Sequence, residues 1–290
     1  MPVRVWVDTD LALGAERGDV DDGFALAAIL AAARSGGAGL AGMSTVFGNT
    51  TAAESERCAR ALCETAGVAC TVAPGAERPG QASAASEAIA GLPAGTELLC
   101  LGPLTNVAAA CAAEPSLPGR LSVRVVGGNL SSRGPLAPLW PFEFNFAKDR
   151  AAARAILRLP WKSLTIYPLD VVRRLRADSA RLDRLAAAGA LGDALARGSR
   201  RWLARAWKLR RARSFPVWDL PPALDALDAL PGARHGSPDL APGIRRFLRR
   251  SGPAPCLVGF DPDRAWESFH SILRRESFTP ATVFGENGAS

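Results

Sequence analysis

The sequence has too few closely spaced cysteines and histidines to build a disulfide framework or a zinc site. Six cysteines are spread over 290 residues without a C-x-x-C pair, and the chain has two histidines. Structural zinc sites need such pairs, so the spacing argues against zinc. We therefore expect the cysteines to be reduced thiols of a cytoplasmic protein.

Long apolar runs are also missing. A membrane-spanning helix needs about 20 consecutive apolar residues, and the longest candidate, 24–33, is much shorter. The N-terminal segment 2–7 has the pattern of a strand and lacks the charged and apolar regions of a leader. We expect no export signal and no membrane partner.

Lysine is scarce although the chain is basic. Its 35 Lys and Arg residues against 28 Asp and Glu give a net charge of +7, yet three of the cations are lysines. With the alanine-rich runs this indicates a coding bias, and we expect no nucleic-acid partner. The segment 200–211 interleaves arginines with tryptophans and predicts an amphipathic helix with a solvated basic face. A lid that presents a tryptophan to a pocket, or contact with RNA or a membrane surface, stays an alternative for this helix.

Strand-like and helix-like segments alternate over the first two thirds of the chain. This pattern predicts an α/β fold, an open and mainly parallel sheet flanked by helices with a Rossmann-like core. The last third is more helical and no linker precedes it, so we expect one domain over 1–290. The expected strands are 3–8, 39–46, 69–72, 97–101, 122–126, 164–167 and 256–259, and the expected helices are 23–34, 52–66, 106–113, 149–159, 178–188, 190–211, 220–229 and 262–274.

Five aspartates lie within fifteen residues, where the first predicted strand ends and the first predicted helix begins. They are Asp8, Asp10, Asp19, Asp21 and Asp22. Repulsion within such a cluster is relieved by a cation, a helix N-terminus or protonation. Without a nearby histidine or cysteine, the oxygen donors favour Ca²⁺ or Mg²⁺. Helix capping alone is the alternative explanation for Asp21 or Asp22.

The other predicted strand ends are polar as well. Each motif by itself is ordinary turn and capping chemistry. Because parallel strands end at the same edge of a sheet, together these motifs predict a ring of oxygen ligands and amide donors around one cleft, which suits a metal-dependent site for a polyol. The motifs are Gly48-Asn49, Gly102-Pro103-Leu104-Thr105-Asn106, Gly127-Gly128-Asn129, Glu143-Phe144-Asn145 and Trp218-Asp219.

In order and approximate spacing, these motifs resemble the inosine-uridine-preferring nucleoside hydrolase family over nearly the whole chain. That family cleaves the N-glycosidic bond of ribonucleosides to ribose and free base with a tightly bound Ca²⁺, and its members are often homodimers or homotetramers. The resemblance implies the same fold, activity, cofactor and assembly here. It is carried by Asp8-Thr9-Asp10 with Asp21-Asp22, Gly48-Asn49, Leu101-Gly102-Pro103-Leu104-Thr105-Asn106, Glu143-Phe144-Asn145, Leu169-Asp170-Val171 and Asp219.

The resemblance also implies a role for each matching residue. Asp10 would take a proton from the calcium-bound water that attacks the anomeric carbon, while Asp8 could support the site from behind. The implied calcium ligands are Asp10, Asp22, Asp219 and the backbone carbonyl of Thr105. The implied ligands of the ribose hydroxyls are Asp21, Asn49, Glu143 and Asn145.

Three features depart from the family pattern. The segment 11–20, between Asp10 and Asp21, is longer than usual, and Ala137 stands where many members bind the ribose 5′-hydroxyl with an asparagine. Trp218 replaces a histidine that can protonate the leaving base. A tryptophan can instead stack on a purine, as in the purine-specific branch, or be a core residue that precedes a helix.

The sequence therefore predicts an N-ribosyl hydrolase that is calcium-dependent, acts on a small-molecule ribonucleoside and favours purines. Two alternatives stay open. The long segment 11–20 and Ala137 are compatible with a different N-riboside as substrate. A non-catalytic, calcium-dependent ribose- or nucleoside-binding protein would keep the metal site but would have no use for Asp10 as a base.

Overall fold

The structure is a computed structural model that describes residues 2–15, 18–130, 144–238 and 255–276. Its strands are β1 (Val3–Thr9), β2 (Ala38–Thr45), β3 (Val72–Ala73), β4 (Glu97–Cys100), β5 (Ser122–Val126), β6 (Ser163–Tyr167), β7 (Arg176–Asp178), β8 (Ser214–Pro216), β9 (Arg234–Gly236) and β10 (Cys256–Gly259). Its helices are α1 (Asp21–Arg34), α2 (Ala52–Ala66), α3 (Ala84–Ala90), α4 (Thr105–Ala113), α5 (Leu117–Arg120), α6 (Phe144–Lys148), α7 (Arg150–Ile156), α8 (Leu169–Val172), α9 (Ser179–Ala186), α10 (Ala190–Arg210), α11 (Leu220–Ala226) and α12 (Pro262–Glu276).

Eight strands form the central sheet, in the order β3-β2-β1-β4-β5-β6-β10-β9. Neighbouring strands are parallel apart from the edge pair of β10 and β9. Strands β7 and β8 form a separate antiparallel ribbon. The carboxyl ends of β1, β2, β4 and β5 therefore meet at one edge of the sheet, where ligands of such folds bind. The predicted α/β fold with a mainly parallel sheet is confirmed.

Helices cover both faces of this sheet, and the strands contribute side chains to each face in alternation. Val5 and Val7 of β1 belong to one apolar cluster, which contains Phe24 of α1. Trp6, between them, belongs to the cluster on the opposite face, together with Ile89 of α3. Because both faces are buried, most of the strands are almost continuously apolar, which is why the sequence alone could locate β1, β2, β4, β5, β6 and β10. The strand predicted at 69–72 is observed as Val72–Ala73.

Helix α1 runs through the interior, and each of its residues from Asp21 to Ala32 is buried. It packs against α11 and α12, with the Phe24 ring edge-to-face on Trp266 at a centroid distance of 6.0 Å. The longest apolar run of the sequence belongs to this helix, and no helix within the described ranges is long and apolar enough to cross a membrane. The packing also forces the two carboxylates that begin α1 into the interior.

The C-terminal third contains more strand than the sequence predicts. The short strands β7, β8 and β9 are three residues long, have at most two apolar residues each and were not expected. Several predicted helices end earlier than expected, such as 149–159, which is observed as Arg150–Ile156. This helix also begins one residue later than predicted, because the Asp149 side chain accepts a hydrogen bond from the Ala152 amide and so caps the first turn.

Candidate metal and catalytic site

Five aspartates from three parts of the chain are buried at the carboxyl end of β1. Asp8 lies near the end of β1 and Asp10 directly follows the strand. Asp21 and Asp22 begin α1, and Asp219 directly precedes α11. Each side chain is at most 4% exposed. Carboxylates are rarely buried in such number without a partner, so their concentration here marks a functional site.

Asp21, Asp22 and Asp219 form what we call the acidic triad, in which one carboxylate oxygen from each lies within 4.8 Å of the other two. The Thr9 hydroxyl donates to Oδ1 of Asp22. Oδ1 of Asp21 and Oδ2 of Asp22 are buried and have no hydrogen-bond partner among the described residues. A buried polar atom without a partner costs free energy, and a cation bound by these oxygens would remove that cost.

Burial and mutual repulsion raise the pKa values of the triad. Burial raises the pKa of Asp22 to about 7, although the Thr9 hydrogen bond lowers it. Burial also raises the pKa of Asp21 and of Asp219, and the charges of Asp19 and Asp22, respectively, raise them further. A divalent ion would offset both effects, and an all-oxygen donor set suits a hard cation. The residues of the triad therefore fit a metal ion.

Asp10 lies next to the triad and is held by the chain that follows β2. Its Oδ2 accepts a hydrogen bond of 2.7 Å from the backbone amide of Asn49. Burial, followed by the charge of Asp22, raises the pKa of Asp10, and Asp10 in turn raises the pKa of Asp219. Asp10 is thus fixed in orientation and close enough to the triad to interact with it electrostatically.

Two glycines let the backbone approach the Asp10 carboxylate. A Cβ atom on Gly48 would lie 2.0 Å from Oδ2 of Asp10, and one on Gly102 would lie 3.1 Å from Oδ1. Neither position has a positive φ, so close approach rather than backbone conformation requires glycine there. This explains the glycines in two of the strand-end motifs.

Asp8 stabilises the site indirectly, through hydrogen bonds that join β1 to β2 and α4. Its Oδ1 accepts hydrogen bonds from the Ser44 hydroxyl at 2.6 Å and from Nδ2 of Asn106 at 2.8 Å. The Trp6 indole donates to Ser44 at 2.9 Å. Burial raises the pKa of Asp8 to about 7, while the Ser44 and Asn106 hydrogen bonds lower it. Ser44 was not predicted, and the only signal for it was the pair of hydroxyl residues Ser44 and Thr45 at the end of an otherwise apolar strand.

Thr105 and Asn145 are buried at the ends of β4 and β5. The Thr105 hydroxyl donates to Oδ2 of Asp149 at 2.7 Å, so the metal role implied for Thr105 depends on its backbone carbonyl. Nδ2 of Asn145 donates to the carbonyl oxygens of Leu101 at 2.7 Å and Val126 at 3.3 Å. Asp149, which orients Thr105, was not recognised from the sequence because a lone aspartate before a helix has the pattern of an ordinary cap.

The remaining predicted residues differ in their placement. Asn49 is half-buried beside Asp10, and Trp218 is half-buried with its ring packed against the core that contains α1. Glu143 and Ala137 lie outside the described residues. Of the aspartates that the resemblance implies as metal ligands, Asp22 and Asp219 belong to the acidic triad. Asp10 lies beside the triad.

A profile of the inosine-uridine preferring nucleoside hydrolase family matches residues 5–231. The chain belongs to this family. Among curated proteins, none matches it significantly. Similar solved structures are a plant nucleoside hydrolase, a purine-preferring ribonucleoside hydrolase from Gardnerella vaginalis and an inosine-guanosine nucleoside hydrolase, with TM-scores of 0.76, 0.73 and 0.71. Each is 17% identical to this chain, with 94% of this chain and 99% of the other covered.

As a nucleoside hydrolase, the chain is an N-ribosyl hydrolase whose substrate is a small-molecule nucleoside. The predicted family and enzyme class are confirmed. The metal dependence of the family agrees with the acidic triad, whose residues can hold a metal ion. At 17% identity, the solved structures establish a shared fold, and the identity of the ion and of the base has to be argued from the site.

Proposed function

We propose that this nucleoside hydrolase is calcium-dependent and cleaves purine ribonucleosides in preference to pyrimidine ribonucleosides. The observation that carries the proposal is the buried triad with two carboxylate oxygens that lack partners, next to an oriented Asp10. A buried, purely oxygen donor set of this charge suits a large divalent cation that accepts many oxygen ligands. Ca²⁺ fits that description better than Mg²⁺, which keeps several waters when bound.

The proposed calcium ligands are Asp10, Asp22, Asp219 and the backbone carbonyl of Thr105, with Asp21 beside them. When bound, Ca²⁺ supplies a fixed positive charge that orients the ribose diol and acidifies water. The proximity of Asp21 to Asp22 and Asp219 supports Asp21 as a further ligand or as an acceptor for a ribose hydroxyl next to the ion. The two roles differ in what a substitution does to metal affinity, which is measurable.

Asp10 is the proposed general base. Its carboxylate would accept the proton of the water that attacks the anomeric carbon, and its orientation is held by the Asn49 amide. A positioned base of this kind contributes about 10²–10⁴-fold to the rate. As the bond to the base breaks, positive charge develops on the ribose, and the surrounding carboxylates would stabilise it electrostatically.

The ribose and the base are assigned to different groups of residues. Asp21, Asn49, Glu143 and Asn145 are proposed to hold the ribose hydroxyls. Trp218, half-buried next to Asp219, is proposed to stack on the purine and so to stabilise it as it leaves. Tryptophan has no acidic proton to donate, which is why stacking rather than protonation is assigned to it.

The test is release of reducing sugar from inosine, guanosine, adenosine, uridine and cytidine, with and without a strong calcium chelator. We expect faster turnover of the purines, loss of turnover on chelation, and recovery with Ca²⁺ but not with Mg²⁺. Asp219→Asn should weaken calcium binding, whereas the matched control Asp263→Asn, on a surface residue that is 88% exposed, should not. Equal turnover of both base classes would refute the purine preference, and turnover that resists chelation would refute the calcium requirement.

A different N-riboside is the second candidate substrate. It is favoured by the ten-residue segment 11–20, which is longer than the family pattern and joins Asp10 to Asp21. Metal binding without turnover of any of the five nucleosides would favour it.

We also propose that the protein is cytoplasmic and forms a homodimer or homotetramer. Sedimentation or light scattering of the purified protein would test the oligomeric state.

A further inference from the structure

The segment 11–20 also lines a cavity that is separate from the aspartates of the catalytic site. The cavity lies between α2 and α10 and has a volume of about 420 Å³. Of the residues of this segment that the structure describes, five contribute to the wall, and none of the five site aspartates does. A cavity of this volume is within the range that holds small organic ligands.

One wall of the cavity is cationic. Arg197, Arg201 and Arg205 follow one another at intervals of four residues, so they lie on the same face of α10. Arg197 is paired with Asp193. No ion pair is found for Arg201 or Arg205 within the described parts of the chain, and no acidic side chain lines the cavity there.

Two neighbouring arginines without acidic partners suit one particular chemical group. Their planar guanidinium groups present several N–H donors in a fixed geometry, which matches the oxygens of a phosphate. A carboxylate has two oxygens and is satisfied by one arginine, whereas a phosphate monoester has three terminal oxygens that can accept from both Arg201 and Arg205. The cationic wall therefore favours a phosphate.

The rest of the wall is apolar and includes an aromatic ring. Leu13 and Val20 contribute from the segment 11–20, and Leu62 contributes from α2. Trp202 of α10 also lines the cavity and is half-buried, packed against the core on one side. An indole fixed in this way offers a surface on which a planar ring can stack.

We propose that this cavity binds a phosphate monoester that carries a planar aromatic ring. The phosphate contacts Arg201 and Arg205, and the ring lies against Trp202, Leu13 and Val20. This site is independent of the nucleosidase reaction, because neither the ribose site nor the metal takes part in it. Nucleotides and simple aryl phosphates share the required chemistry, so the probe can be chosen without a ribose.

The test is calorimetric titration of the full-length, calcium-loaded protein with 1-naphthyl phosphate, which has no ribose diol for the catalytic site. The Arg201→Ala/Arg205→Ala variant should bind about 100-fold more weakly, since each charged hydrogen-bonding group is worth about tenfold or more. The matched control is Arg200→Ala/Lys208→Ala, which removes the same charge from α10 at exposed positions that do not line the cavity. It should bind within about twofold of wild type.

A second variant fills the cavity from its rim. Ala61 of α2 lines the cavity but is exposed, so Ala61→Trp should abolish binding while leaving the thermal unfolding temperature unchanged. Inorganic phosphate, which has no ring, should bind at least about tenfold more weakly than 1-naphthyl phosphate.

Four results would overturn the proposal. They are no saturable binding to wild type, equal affinity of the two double variants, unchanged binding by the folded Ala61→Trp variant, and equal affinity for inorganic phosphate. Competition by ribose would also overturn it, because the probe would then occupy the catalytic site. None of these results depends on nucleosidase turnover. A failure of this binding proposal can therefore be distinguished from a failure of the proposed function.

Discussion

The substitution Gly48→Ala is expected to move the Asp10 carboxylate without changing its chemistry. The new Cβ would lie 2.0 Å from Oδ2 and 2.7 Å from Cγ of Asp10. Side-chain atoms do not approach closer than about 3 Å, so either the carboxylate or the Gly48 backbone has to move by about 1 Å. Gly48 does not have a positive φ, so the alanine itself introduces no backbone strain.

The expected effect on catalysis follows from that displacement. Misplacement of a reacting group by about 1 Å costs about 10²-fold in rate. The same movement weakens the 2.7 Å hydrogen bond from the Asn49 amide to the Asp10 carboxylate. We therefore expect kcat/KM for inosine to fall about 100-fold and the free energy of unfolding to fall by about 1–3 kcal/mol, the usual cost of overpacking.

Steady-state kinetics with saturating Ca²⁺, together with thermal unfolding, measures both effects. The matched control is Gly119→Ala, because a Cβ atom there has no heavy atom within 4 Å and the position has no positive φ. The control should keep wild-type kinetics and stability. Wild-type kcat/KM in a folded Gly48→Ala protein would refute the argument that the position of Asp10 limits the reaction.

Three further predictions concern the base, the metal and the purine. Asp10→Asn should lower kcat by about 10²–10⁴-fold while calorimetry still detects calcium binding; retained turnover would contradict its role as base. Burial raises the pKa of Asp8 and Asp22 from 3.8 to about 7, so protonation stabilises the metal-free fold at low pH, and this stabilisation is lost as the pH rises towards 7. The Tm of chelated protein should therefore fall between about pH 4 and about pH 7, and Ca²⁺ should raise Tm more at the higher pH; a Tm that rises over this interval would exclude the mechanism. Trp218→Leu should lower kcat/KM for inosine about tenfold more than for uridine, because stacking on a base is worth about 1–3 kcal/mol; an equal loss for both would assign Trp218 to the core.

The repeated alternation of strands and helices could be predicted from the sequence because each signal is local. Helix α2 is observed at Ala52–Ala66, as predicted, since Thr51 caps its first turn and Gly67 ends it in the left-handed conformation. Strand β5, Ser122–Val126, is also observed as predicted. The strand-end motifs could likewise be located from the sequence, because the rule that ligands bind at the carboxyl ends of parallel strands needs only the order of the elements.

Which oxygens converge was decided by the tertiary structure. Asp219 reaches Asp21 and Asp22 only because α11 packs against α1, a contact between elements almost 200 residues apart. The same packing buries the start of α1 and so places Asp21 as well as Asp22 next to Asp219, a proximity that no local sequence pattern predicts. Distances between side chains depend on sheet register and helix packing, which arise from many long-range contacts at once. Residue order specifies the participants of this site, and the packing of α1 determines their arrangement.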